Sequence, residues 1–82
     1  MRLDKFLKNS RIIKRRTVAN EMASKGRVLI NGRVGKPGSE VREGDVLEIA
    51  FGQGTTRIRV LSLRDNPRKD DAGELYELLD RE

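Results

Sequence analysis

The sequence predicts an α+β domain: two N-terminal helices packed on a small, mostly antiparallel sheet, followed by a C-terminal helix. Three observations predict it. Apolar residues recur at helical spacing from Leu3 to Ala23. Asn31-Gly32, the strongest two-residue hairpin signal, then opens a series of short alternating segments separated by glycines. Beyond Asp65-Asn66-Pro67 the apolar spacing turns helical again.

Leu3, Phe6 and Leu7 fall on one face of a short helix beginning near Met1, with Arg2, Lys5 and Lys8 on the adjoining face. Asn9-Ser10 breaks it. Ile12 and Ile13 lead into a second helix from about Lys14 to Lys25, with Val18, Ala19, Met22 and Ala23 as its apolar stripe. Gly26 stands where a left-handed C-cap is expected. Arg27 to Ile30 is a short strand, Asn31-Gly32 the turn and Arg33-Val34 the brief partner. Gly35 to Ser39 is loop, because Gly and Pro punctuate it, and Val41 points inward before the turn at Arg42 to Asp45. Val46 to Phe51 is a strand, Gly52-Gln53-Gly54 a turn, and Thr56 to Leu63 the last strand, with Ile58 and Val60 inward. Asp70 or Asp71 caps a final helix striped by Leu75, Tyr76, Leu78 and Leu79, which Gly73 weakens by ~1 kcal/mol relative to Ala.

Charge is sorted along the chain. Residues 2–36 hold eleven Lys/Arg and two acids, a local balance of +9. Residues 37–82 hold seven bases and eleven acids, and the whole chain carries +5. A basic block that folds is an electrostatic footprint for phosphate, so nucleic acid is the leading partner.

The same composition excludes other classes. With no Cys and no His, there is no disulfide, thiol nucleophile, imidazole base or His/Cys zinc site. No residues build a nucleophile–base pair, so a binder rather than an enzyme is expected, without cofactor or metal. An 82-residue chain makes one small domain with a thin core. No apolar run reaches the ~18–20 residues of a membrane span, and Lys5 and Lys8 interrupt any signal-peptide core. A cytoplasmic protein with no membrane partner is expected.

Arg11, Lys14, Arg15 and Arg16 lie at the junction of the two helices, where their heads can converge on phosphate. Arg2, Lys5 and Lys8 extend that surface. Asp4 has two readings: a first-turn acid pairing Lys8 at i+4, or a carboxylate that orients a basic neighbour or contacts a partner. Asn31 and the glycines around it serve the hairpin, while Arg27, Arg33 and Lys36 flank it within reach of the same ligand. Arg57 and Arg59 share a strand face, and Glu48 on the neighbouring strand can neutralise one of them. Phe6 and Phe51 read as core, so stacking of single-stranded bases is disfavoured and structured RNA is favoured. Glu74, Glu77, Asp80 and Glu82 lack metal-ligand spacing and read as the polar face of the last helix.

RLDKFLK, RRTVANEMASKGRVLINGRV and KPGSEVREGDVLEI, taken together, resemble the RNA-binding domain named after small-subunit ribosomal protein S-four. In that family a helix pair (the alpha-L motif) ends in a Gly-containing turn before strands of the V-x-[IV]-N-G and G-D-x-[IL] types. The resemblance covers residues 1–63, with 64–82 as a short acidic tail. Its motifs are specific in combination. The opening, the FGQ after the sheet and the acidic end look most like the small stand-alone bacterial RqcP family, of which the heat-shock ribosome-recycling protein is a longer relative.

The resemblance implies a ribosome-associated quality control factor that binds stalled large ribosomal subunits. It would contact ribosomal RNA and peptidyl-tRNA, and assist the alanine tailing performed by an RqcH-type factor. It places Arg2, Asp4, Lys5, Arg11, Arg15 and Arg16 in the RNA-facing helical motif, and Arg27, Asn31 and Lys36 in the hairpin beside it. A monomer is expected. The rival readings are a general RNA-binding factor in subunit recycling or assembly, a remnant of a pseudouridine synthase, and an interaction module acting through the acidic last helix.

Overall fold

A computed structural model describes residues 1–64 and 74–82. Helices α1 (Leu3–Asn9) and α2 (Arg16–Ser24) precede strands β1 (Val28–Ile30), β2 (Arg33–Val34), β3 (Val46–Phe51), β4 (Gly54–Val60) and β5 (Tyr76–Arg81). The strands form one sheet in the order β2-β1-β3-β4-β5, and every neighbouring pair is antiparallel.

Local chemistry explains the boundaries. Helix α1 stops at Asn9, and the Ser10 hydroxyl donates to the Leu7 carbonyl at 3.2 Å. Two backbone bonds finish α2, from Gly26 N–H to the Ala23 carbonyl and from Arg27 N–H to that of Met22. Gly26 takes φ +74°, so this is a Schellman stop. Asn31 (φ 51°) and Gly32 (φ 82°) make the type I′ turn that closes β1 onto β2.

The core lies between the helix pair and one face of the sheet. Leu3, Phe6, Leu7, Ala19 and Ala23 from the helices meet Val28, Val41, Leu47, Ile49, Ile58, Val60 and Leu75. Small Ala19 and Ala23 let α2 come close. Val18, expected in the same stripe, is exposed, because Ala19 and Ala23 already turn their side of α2 to the core.

The expected C-terminal helix is a strand. Tyr76–Arg81 pairs along β4, with Arg57 opposite Asp80 and Ile58 opposite Leu78. Leu79 is therefore an extra residue in the ladder, a β-bulge. The bulge breaks the period of two and leaves Leu75, Tyr76, Leu78 and Leu79 at what reads as helical spacing. Cross-strand ion pairs, Arg59 to Glu77 and Arg57 to Asp80, both at 3.0 Å, fit the strand. The Asp65-Asn66-Pro67 break, the Asp70/Asp71 cap and Gly73 lie outside the described residues.

Candidate nucleic-acid interface

The first two amides of α1 find partners in a distant loop. Leu3 N–H donates to the Ser39 carbonyl at 2.8 Å and Asp4 N–H to the Pro37 carbonyl at 3.2 Å. Val41 N–H donates back to Met1 at 2.8 Å, and Arg2 bridges Glu40. These bonds do the work of an N-cap side chain, which Arg2 does not supply. Gly35 makes the approach possible. A Cβ there would stand 2.9 Å from Leu3 Cδ2 and 3.0 Å from Ile30 Cδ1. The loop carrying Lys36 is thus fixed against the start of α1.

At that start sits Asp4, the only buried carboxylate among the described residues, its side chain 3% exposed. Its Oδ1 accepts from the Lys5 amide at 2.8 Å, from Arg2 Nε at 3.2 Å and from Arg16 at 3.4 Å. Its Oδ2 accepts from Arg2 at 3.4 Å and from Asn20 at 3.3 Å. Burial pushes the Asp4 carboxyl pKa up. Hydrogen bonds from Asn20, Arg16 and Arg2, with the Arg16 charge, outweigh this and hold it below its ordinary value. The carboxylate stays ionised and clasps two arginines from different helical segments.

Lys8 is not among its partners, so the i+4 pairing gives way to the orienting reading. The reason is direction: Asp4 turns inward toward α2, whereas Lys8 stays exposed.

Both clasped guanidiniums face outward as well, 54% exposed for Arg2 and 47% for Arg16. Each guanidinium has five N–H donors. Arg2 commits two to Asp4 and Arg16 one, which leaves three and four for a ligand. A shallow concavity of about 340 Å³ lined by Asp4, Arg16, Thr17 and Asn20 lies beside them. Held cations of this kind lose little side-chain freedom on meeting phosphate, which is the advantage of a clasp over a mobile basic tail.

The remaining predicted residues distribute around this centre. Lys8, Lys14 and Arg15 are exposed on α1, on the connection and at the start of α2, and Lys5 is half-buried on α1. Arg27, Arg33 and Lys36 are exposed about the β1–β2 hairpin. The exposed Asn31 side chain is engaged within the fold's own hydrogen bonds, accepting from Val46 N–H at 2.9 Å and donating to Asp45 at 3.0 Å. Arg11 does not join Arg16. It takes φ 62° and lines a separate cleft with Phe51 and Tyr76. On the sheet, Arg57 pairs with Glu48 as expected and also with Asp80, while Arg59 pairs with Glu77 on β5, which neutralises that face. Sequence spacing missed Asn20, whose only signal is a position one turn after Arg16 on α2.

The S4 domain matches residues 1–47, the stretch that contains the clasp, both helices and the hairpin. The chain belongs to the S4 domain family. Within it, the chain is 49% identical over its full length to the RQC P-site tRNA stabilizing factor of Bacillus subtilis, covering 95% of that protein. It is 50% identical, again over its full length, to the factor of the same name from Listeria innocua, covering 89% of it. These are RqcP proteins. Heat shock protein 15 of Vibrio cholerae has the same S4 architecture, with a TM-score of 0.89 and 31% identity over 96% of this chain and 81% of that one. Among the described residues, no helix is long and apolar enough to cross a membrane, and no group of acids could hold a metal ion.

Proposed function

We propose that this protein binds obstructed large ribosomal subunits in the cytoplasm, engages ribosomal RNA and the P-site peptidyl-tRNA together, and so supports alanine tailing by an RqcH-type factor. The observation that carries the reading is the clasp: one buried carboxylate holding two half-exposed arginines at the head of the basic block. The names of the S4 relatives support tRNA at the P site as the ligand.

Its mechanism is binding, not catalysis. Arg2 and Arg16 neutralise phosphates of a ribosomal RNA stem. Lys5, Lys8, Lys14 and Arg15 extend this contact along the helices. Arg27, Arg33 and Lys36 reach the tRNA backbone from the hairpin, and Asn31 and Asp4 orient their neighbours. Residues 1–63 carry the contacts, and Tyr76–Arg81 completes the sheet. The protein acts as a monomer.

A second reading, recycling or assembly of subunits without tailing, is favoured by the close likeness to heat shock protein 15. Gradient sedimentation of cell extracts separates the two. Enrichment on large subunits that carry nascent chains, and loss of alanine tails when the protein is removed, is the expected result. Enrichment on empty subunits or assembly precursors, with tails intact, assigns the second.

A further inference from the structure

The face of the sheet that carries the core runs past the helices. Cross-strand partners share a face, so Phe51 on β3, Thr56 on β4 and Arg81 opposite Thr56 on β5 continue the surface on which Ile49, Ile58 and Tyr76 lie. Ile49 and Ile58 are covered completely, whereas Phe51 at the end of β3 is 39% exposed. Phe51 was expected in the core, and it lies outside because neither short helix reaches that end of the sheet. The connection between α1 and α2 forms the opposite wall. The result is an open cleft of about 370 Å³ lined by Arg11, Ile12, Phe51, Thr56, Tyr76 and Arg81. This is within the ~300–1,000 Å³ of small-ligand sites.

Its chemistry is specific. Phe51 and Tyr76 are two of the three aromatic residues in the chain, and both stand here. Two guanidiniums flank them and no carboxylate lines the cleft. Among the described residues, neither Arg11 nor Arg81 has an ion-pair partner. An aromatic floor between unpaired cations fits a planar base whose own phosphates carry negative charge. An acidic peptide would satisfy the arginines but would leave the aromatic surface without a planar partner.

We propose that this cleft takes one unstacked nucleotide of a bound RNA, with its base against Phe51 and Tyr76 and its flanking phosphates on Arg11 and Arg81. The proposal rests on the RNA-binding reading above and adds a second contact. Arg11 lies near the start of the connection that leads into α2 at Arg16, so RNA following that connection from the clasp meets the cleft.

The test uses two RNA hairpins identical except for one unpaired 2-aminopurine, present as a bulge in the first and absent from the second. Wild type is expected to bind the bulged hairpin about tenfold more tightly and to quench its fluorescence. Phe51→Leu, which keeps apolar bulk, should lose both the preference and the quenching while retaining the far-ultraviolet dichroism of wild type. Phe51→Tyr should keep them. Arg16→Ala should weaken both hairpins alike. Equal binding of the two hairpins without quenching overturns the nucleotide site and leaves RNA binding standing. Binding of neither overturns the RNA reading and this proposal with it. If an acidic peptide shifts the Tyr76 ring resonances and neither hairpin does, the cleft belongs to a protein partner and the proposal is wrong.

Discussion

Arg16 at the start of α2 and Asp4 in the first turn of α1 are joined at 3.4 Å, and the same carboxylate oxygen holds Arg2 at 3.2 Å. A single buried acid thereby sets the spacing of two cations that the chain brings from separate segments. The apparent cost of an acid in a basic block is offset by the order it imposes.

Asp4→Asn separates positioning from charge. The substitution raises the net charge from +5 to +6, which on charge alone would strengthen RNA binding. If positioning dominates, binding instead weakens by about tenfold, and stability falls by about 1–2 kcal/mol through loss of charge-assisted hydrogen bonds. Filter binding to ribosomal subunits and urea unfolding measure the two effects.

Acid should weaken the fold through the same group. The folded-state Asp4 pKa lies below its unfolded value of ~3.9, so its contribution is complete above that value. It is lost as pH falls below about 4 and through the folded pKa. In wild type, urea midpoints measured from pH 6 to pH 2.5 should drop at the acid end. In Asp4→Asn this part of the drop should be missing.

Gly35→Ala should detach the loop from α1. The added methyl would meet Leu3 Cδ2 at 2.9 Å and Ile30 at 3.0 Å, inside normal contact, and both neighbours are packed. Overpacking of this kind costs about 1–3 kcal/mol, to be read as a lower urea midpoint at unchanged slope.

Arg11→Gly should separate stability from binding in the opposite direction. Arg11 holds φ 62°, where a side chain costs ~1–2 kcal/mol relative to Gly, while Gly adds freedom to the unfolded chain. The melting temperature should hold or rise slightly. Affinity for RNA should fall.

Leu75→Ala should behave as a core substitution. Leu75 is completely buried immediately before β5, and truncating a buried Leu costs about 2–5 kcal/mol. Were the end of the chain a loosely docked helix, the loss would be near zero. Thermal unfolding decides.

Most of the fold was legible because its signals are local. Gly26 and Asn31-Gly32 both require positive φ, and both turns form where those residues stand. The alternation of Val46 to Phe51 and of Ile58 with Val60 likewise gives β3 and β4. The last element was misread because a single bulge at Leu79 shifts a two-residue period into a helical one, and only the partner strand reveals it. At the interface, charge sorting located the basic block but not its organisation. Asp4 pairs with Arg16 and Asn20, twelve and sixteen residues away, rather than with its i+4 neighbour. Phe51 and Arg11 were misplaced for a related reason: the length of the sheet relative to the helices decides what is covered, and no short-range spacing encodes it.

The most direct test is the salt dependence of binding to isolated large subunits, for wild type and for Arg16→Ala, with circular dichroism to establish that both are folded. If the clasp and its neighbours engage ~5 phosphates, log affinity should fall with log salt at a slope of about −3.5 to −4.5 in wild type. In Arg16→Ala the slope should be shallower by about 1 and binding weaker at every salt concentration. A folded Arg16→Ala protein with the wild-type slope and affinity would contradict the account and move the RNA site away from the Asp4 clasp.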